Sequence, residues 1–210
     1  MDENLEFFLK KFGQATEYIA ADEQVLRHFS GKVPPALIDF WRQVGFSVFK
    51  NGLLTVVNPL EWAEATDEWL EGTELDELDE FLPVFKGAFG DFHFLGINTG
   101  HRPTLSSITG FIFADEHDAL SFASKGGDWV VKLLFGLSKT SNFDIKDDDG
   151  APLFDRAVAK LGSLKSDEMF GFVPLPMLGG TYKLELLQKY DAQVHLSILR
   201  QMTEVKVVWI

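Results

Sequence analysis

The chain has 210 residues, a formal net charge of −13 and no cysteine. This charge argues against nucleic acid as a partner, because binding a polyanion depends on Lys and Arg contacts with phosphates. The absence of cysteine excludes disulfides, zinc–thiolate sites and cysteine nucleophiles. The N-terminus begins with acidic residues and lacks a basic leader, and no stretch approaches the ~18 apolar residues of a membrane span. We therefore expect a cytoplasmic protein that does not engage a membrane.

The first sixty residues predict three short helices followed by a β-hairpin. Apolar residues at helical spacing place helices before Gly13, over Asp22–Phe29, and within 33–45. Pro34-Pro35 suits the first turn of the third helix. Asn51-Gly52 lies between two apolar runs and is typical of a tight hairpin turn.

An acidic segment follows, with ten carboxylates and no Lys or Arg within residues 61–82. Its first part predicts a helix over 60–70, with two tryptophans seven residues apart on one face. Charge runs are usually solvated faces, but an uncompensated field also attracts and orients a basic partner. The tryptophans could instead anchor the helix to the core. The candidate interface residues are Glu61, Trp62, Glu64, Asp67, Glu68, Trp69, Glu71, Glu74, Asp76 and Glu77.

The remainder of the chain mixes strands and helices. Strands are predicted over 81–85, 92–97, 107–114, 181–190 and 205–210, and helices over 115–124, 128–135, 152–161 and 191–202. For the apolar run 128–135, a strand is the alternative. The predicted fold class is α+β, with two closely packed α/β units built from helices and antiparallel hairpins or sheets. We place the domains at 1–80 and 81–210, with the connection near 72–82.

Two loops are secondary candidates for contact with a partner, at 98–103 and 137–151, because a long loop in a compact domain is often functional. The residues concerned are His101, Arg102, Asp147, Asp148 and Asp149. The three aspartates precede Gly150 and invite a calcium interpretation. Ile145 and Arg156 occupy the first and twelfth positions, however, where a calcium loop needs Asp and Glu. We therefore expect a solvated turn.

Catalytic patterns are weak. The five histidines are scattered, without the spacing of a metal site, and no serine elbow is present. Ser166 is expected to cap a helix with Asp167 and Glu168 in its first turn. The alternative, an acid/base pair, is unfavourable because adjacent helical residues do not share a face. No cofactor, metal or catalytic residue is assigned.

Two blocks of sequence resemble a known bacterial family. Residues 33–45, Asn51-Gly52-Leu53 and Asn58-Pro59 resemble the GAD-like domain. Leu161–Leu164, Asp167–Pro174, Gly179-Gly180 and His195–Gln201 resemble the C-terminal domain paired with it. This combination is similar to immunity proteins of type VI secretion DNase effectors.

The resemblance implies a bacterial cytosolic protein that binds a cognate nuclease toxin one-to-one and occludes its active or DNA-binding surface, without catalysis of its own. Gly171, Pro174 and Gly180 are then residues that shape the fold. Two alternatives remain open. One is a hydrolase or transferase that uses scattered carboxylates, and the other is a regulatory interaction module without a toxin partner.

Overall fold

The computed structural model describes residues 3–210, in which helices and strands alternate along the chain. The helices are α1 Glu3–Phe12, α2 Glu23–Phe29, α3 Pro35–Val44, α4 Ala63–Leu70, α5 Asp118–Lys125, α6 Gly127–Leu137, α7 Phe154–Leu161 and α8 Ala192–Met202. The strands are β1 Ala15–Glu17, β2 Val48–Phe49, β3 Leu54–Val56, β4 Phe81–Gly87, β5 Phe92–Gly96, β6 Thr104–Ser106, β7 Phe111–Ala114, β8 Glu168–Phe172, β9 Leu187–Asp191 and β10 Lys206–Trp209. The predicted α+β class is confirmed.

Eight strands form one sheet in the order β1-β2-β3-β4-β5-β6-β7-β10. The first seven follow the chain as an antiparallel meander, and β10 returns from the C-terminus to pair parallel with β7. The sheet is continuous across residue 80, since Leu54 of β3 is opposite Gly87 of β4. The division into 1–80 and 81–210 stays a prediction.

Apolar side chains cover both faces of this sheet. On one face, an aromatic cluster joins α1, α3 and α6 to β4, with the Phe40 and Phe135 rings stacked 3.8 Å apart and Phe8 beside them. On the other face, Phe92, Phe94 and Ile112 pack against α4 and α8. The sheet is therefore sandwiched between helices, and α4 and α8 lie on the same side.

A separate hairpin of β8 and β9 carries the motif residues of the C-terminal block. A Cβ on Gly171 would lie 2.3 Å from Nε2 of His195, and one on Gly180 would lie 2.3 Å from the Pro174 carbonyl. Only glycine permits these approaches, so both residues shape the fold. His195 is buried and stacks on Tyr190 with ring centroids 4.2 Å apart.

Three local predictions were wrong. The strand predicted over 181–190 forms only from Leu187, after a 3₁₀ turn at Leu184–Leu186. Ser166 does not cap a helix, because the residues after it enter β8, where Met169, Phe170 and Phe172 are buried opposite β9. Of the strand predicted over 107–114, residues 107–110 form a turn instead, in which Gly110 donates its backbone N–H to the Ser106 carbonyl with φ of 72°. Its glycine supplies the left-handed conformation that separates β6 from β7.

Candidate protein-interaction surface

The acidic segment, residues 61–80, begins with helix α4, which docks on α8 through backbone carbonyls. Arg200 of α8 donates to the carbonyls of Glu68 at 2.8 Å and Glu71 at 3.2 Å, and Gln193 donates to the Glu61 carbonyl at 2.9 Å. The C-terminal carbonyls of a helix carry partial negative charge and lack partners within it. Arg200 therefore stabilises this end of α4 without using its carboxylates.

Most carboxylates of the acidic segment face solvent. Of the eight acidic interface candidates, only Glu68 is half-buried, and its carboxylate accepts a 3.0 Å hydrogen bond from Ser197. Glu61, Glu74 and Asp76 are exposed but accept one hydrogen bond each, from Asn58, Trp209 and the Gly72 backbone. Within residues 3–210, none of the carboxylates of this segment forms an ion pair.

The two tryptophans of the candidate interface are core residues in this structure. Trp62 is 5% and Trp69 1% exposed, and the Trp62 ring lies 5.4 Å from that of Phe92. The structure therefore corrects their assignment as contact residues, because a partner cannot reach side chains this deeply covered. They anchor α4 to the sheet, which is the alternative that the sequence left open.

A cavity of about 380 Å³ opens between the C-terminal half of α4 and the residues that lead into β4. Leu70, Leu78 and Phe81 supply apolar lining, and the rest is acidic: Asp67, Asp76, Glu77, Asp79 and Glu80. Asp79 is committed to the fold, since it accepts hydrogen bonds from Asn98 and Thr99. The remaining arrangement suits the aliphatic stem and cationic head of a Lys or Arg side chain.

The secondary candidates at 98–103 are held internally. His101 is buried, with its Nδ1 2.8 Å from the Thr99 hydroxyl and its ring against Trp209. Arg102 forms a forked ion pair with Asp118, which is also buried. Both side chains stabilise the β5–β6 loop and the start of α5, so the structure corrects their assignment as free contact residues.

The acidic turn at 147–149 is partly structural. Asp147 pairs with Arg156 and accepts the backbone N–H of Ala151 at 2.8 Å, and these contacts hold its pKa below the ordinary value. Asp148 accepts from the Tyr182 backbone at 3.1 Å. Asp149 is exposed. Two of the three carboxylates thus close the turn, as its sequence predicts, and only Asp149 presents an unengaged side chain.

A second cavity, of about 430 Å³, places Asp144 and Asp155 near Lys50 and Ser141. Burial raises the pKa of Asp144, while its carboxylate accepts the backbone N–H groups of Leu153 and Phe154. Asp144 is thereby the cap of α7. Within residues 3–210, no group of three His, Asp or Glu side chains is arranged to hold a metal.

Sequence reasoning missed how the segment is attached. The polar residues of α8 that bind α4 are Gln193, Ser197 and Arg200. They recur every three to four residues, which places them on one helical row. That spacing indicates a polar row on one side of α8, but nothing in the sequence identified α4 as its neighbour.

Each half of the chain matches the model of a known protein family. Residues 3–109, just over half of it, match the model of the GAD-like domain, and residues 130–203 match that of the T6SS immunity protein Tdi1, C-terminal. A crystal structure of Atu4351 from Agrobacterium tumefaciens superposes with a TM-score of 0.85 at 20% identity, covering 100% of this chain and 92% of that one. This likeness shows a shared fold. No curated protein matches significantly.

The two matched models define the class of protein, an immunity protein of type VI secretion. The chain belongs to the family of type VI secretion immunity proteins that combine a GAD-like domain with a Tdi1-type C-terminal region. Within residues 3–210, no helix is both long and apolar enough to cross a bilayer.

Proposed function

We propose that the protein binds a cognate secreted nuclease toxin, a DNase effector, one-to-one in the bacterial cytoplasm and neutralises it by covering its active or DNA-binding surface. It performs no chemistry itself and uses neither cofactor nor metal. Membership of the immunity family supports a toxin as the partner. The nuclease class and the stoichiometry are the finer parts of this proposal.

The observation that carries the proposal is the acidic segment. Ten carboxylates occur there without a single Lys or Arg, eight of them are exposed, and none forms an ion pair in the described chain. Folding gains nothing from concentrating like charges, because they repel one another. A nuclease binds the DNA polyanion through Lys and Arg, so its DNA-binding surface is complementary to this segment.

The proposed mechanism is electrostatic steering followed by occlusion. The negative electrostatic field of α4 attracts and orients the basic groove of the toxin, which speeds association. A Lys or Arg of the toxin then enters the acidic cavity beside Leu70 and Leu78. Toxin phosphate-binding side chains that pair with these carboxylates are no longer available to DNA.

The test is charge reversal at Glu64, Asp67, Glu71 and Glu77, which are exposed and whose carboxylates accept no hydrogen bond within the described chain. The matched control reverses Glu6, Glu17, Glu23 and Glu116, which are also exposed and change the net charge equally. Association with a catalytically inactivated effector encoded beside this gene is measured by surface plasmon resonance at several salt concentrations.

We expect the association rate at low salt to fall at least about tenfold more for the first variant than for the control. If both variants lose the same, net charge alone matters and the segment is not the contact surface. If the unmodified protein neither binds nor inhibits the nuclease, the function itself is wrong.

A further inference from the structure

Helix α8 carries an apolar row that faces solvent. Val194, Ile198 and Met202 follow one another at intervals of four residues and are 61%, 45% and 47% exposed. Residues four apart lie on the same side of a helix. A surface helix normally turns its polar residues to water, so this row is the reverse of the usual arrangement.

Three polar residues of α8 lie on the side that docks α4, while a fourth, Gln201, is exposed and bonds to Ser197 within the helix. Gln193, Ser197 and Arg200 all bond to α4 or its flanking residues. A third side, with His195, Leu196 and Leu199, is buried. One polar side of α8 therefore contacts α4, and the apolar row faces solvent.

A further exposed apolar side chain lies on the segment that contacts the C-terminal end of α8. Met177 accepts a hydrogen bond from the hydroxyl of Thr203, the residue after α8, at 3.0 Å. This contact places the segment Pro176–Leu178 beside the end of the helix, and Leu178 is 57% exposed. Exposed apolar side chains that group on one surface are typical of protein-binding sites.

From this arrangement we infer that the apolar row of α8, together with Leu178, docks an apolar segment of the toxin that is bordered by Lys or Arg residues. The occupant follows from position and charge. The row and the exposed carboxylates of Glu64, Asp67 and Glu71 lie on two helices that are in direct contact, α8 and α4. Together they form one composite site, which offers a toxin apolar surface on one helix and acidic surface on the next.

The two parts of this site have separable roles, and the inference rests on the proposed function. Long-range charge acts mainly on the association rate. Apolar burial forms only after contact and therefore acts mainly on dissociation, where most affinity differences between related complexes arise. The acidic segment selects and orients the toxin, and the α8 row holds it.

The experiment measures both rate constants for a triple variant, Val194→Ser, Ile198→Ser and Met202→Ser, against the same inactivated nuclease. The control is Leu120→Ser, at an apolar side chain on α5 that is 68% exposed. All changed side chains are exposed, and circular dichroism with thermal unfolding verifies that each variant is folded.

We expect dissociation of the triple variant to be at least about tenfold faster, with its association rate within about threefold of the unmodified protein. The control should match the unmodified protein. Unchanged dissociation in a protein that still binds the nuclease overturns this inference and leaves the proposed function standing. A dimer of the unmodified chain that the triple variant separates, measured by sedimentation, would assign the row to a second copy and also overturns it.

Discussion

The chain places its ionisable groups in two contrasting ways within about thirty residues. The acidic segment holds most of its carboxylates in water, and none of them forms an ion pair in the described chain. Immediately afterwards, the hairpin of β4 and β5 buries Lys86 and Asp91 and half-buries His93, and we call these three the interior ionisable groups. Charges left in water cost the fold little and remain available to a partner. Charges taken into the interior make stability depend on pH.

Burial determines the behaviour of each interior group. It lowers the pKa of Lys86 to about 8, although Asp167 and Glu168 act in the opposite direction. Lys86 also donates to the Glu168 carbonyl at 2.7 Å, joining β4 to the hairpin of β8 and β9. Burial raises the pKa of Asp91 to about 6 and lowers that of His93 to about 4. Nε2 of His93 is buried and has no partner in the described chain.

The largest expected effect is on the pH dependence of stability, to which Asp91 and His93 contribute with opposite signs. An unfolded Asp ionises near 3.8, so the raised pKa of Asp91 makes stability fall as pH rises from about 4 to 6. An unfolded His takes up its proton near 6.5, so the lowered pKa of His93 makes stability fall as pH drops from 6.5 to about 4. The two contributions oppose each other over pH 4–6.

Removing one of these two groups reveals the pH dependence of stability that the other contributes. Relative to the unmodified protein, Asp91→Asn should lose about 3 kcal/mol of unfolding free energy between pH 6 and 4, because only His93 then remains. His93→Gln should show the opposite trend, gaining stability on acidification by a similar amount of about 3 kcal/mol. Urea unfolding at several pH values measures both. Parallel profiles for all three proteins would mean that these groups are not desolvated in solution.

The next effect tests whether the acidic helix is held by its backbone. Arg200→Ala removes the donor to the carbonyls of Glu68 and Glu71 and should cost about 2 kcal/mol, a typical value for hydrogen bonds from a charged group. Arg42→Ala is the control. Arg42 pairs with Asp39 on an exposed helix face, so its loss should cost less than about 0.5 kcal/mol.

Equal losses in the two arginine variants would contradict the docking of α4 on α8. The readout is the urea midpoint at constant slope, since a changed slope would indicate a different unfolded or native state.

The sequence predicted secondary structure correctly where residues close in the chain determine it. Asp191 caps α8 by accepting the Val194 backbone N–H, and β10 forms over the predicted apolar tail. The strand at Glu168–Phe172 was missed because Ser166 and two acids mimic a helix start, whereas pairing with β9 decides the outcome. The carboxylates of the acidic segment were identified by composition alone. The pairing of α4 with α8, and hence the composite site, depends on contacts between residues about 130 apart.

The smallest expected effect completes the comparison. Neutralising Glu64→Gln, Asp67→Asn and Glu71→Gln should leave the unfolding free energy within about 0.5 kcal/mol, because exposed carboxylates without ion pairs contribute little. Any change should be a slight gain at low salt, since like charges repel, and should vanish as salt screens them. The same variant should associate more slowly with the nuclease. A clear loss of stability would mean that these side chains stabilise the fold. That result would contradict the proposal that the acidic segment is a partner-binding surface.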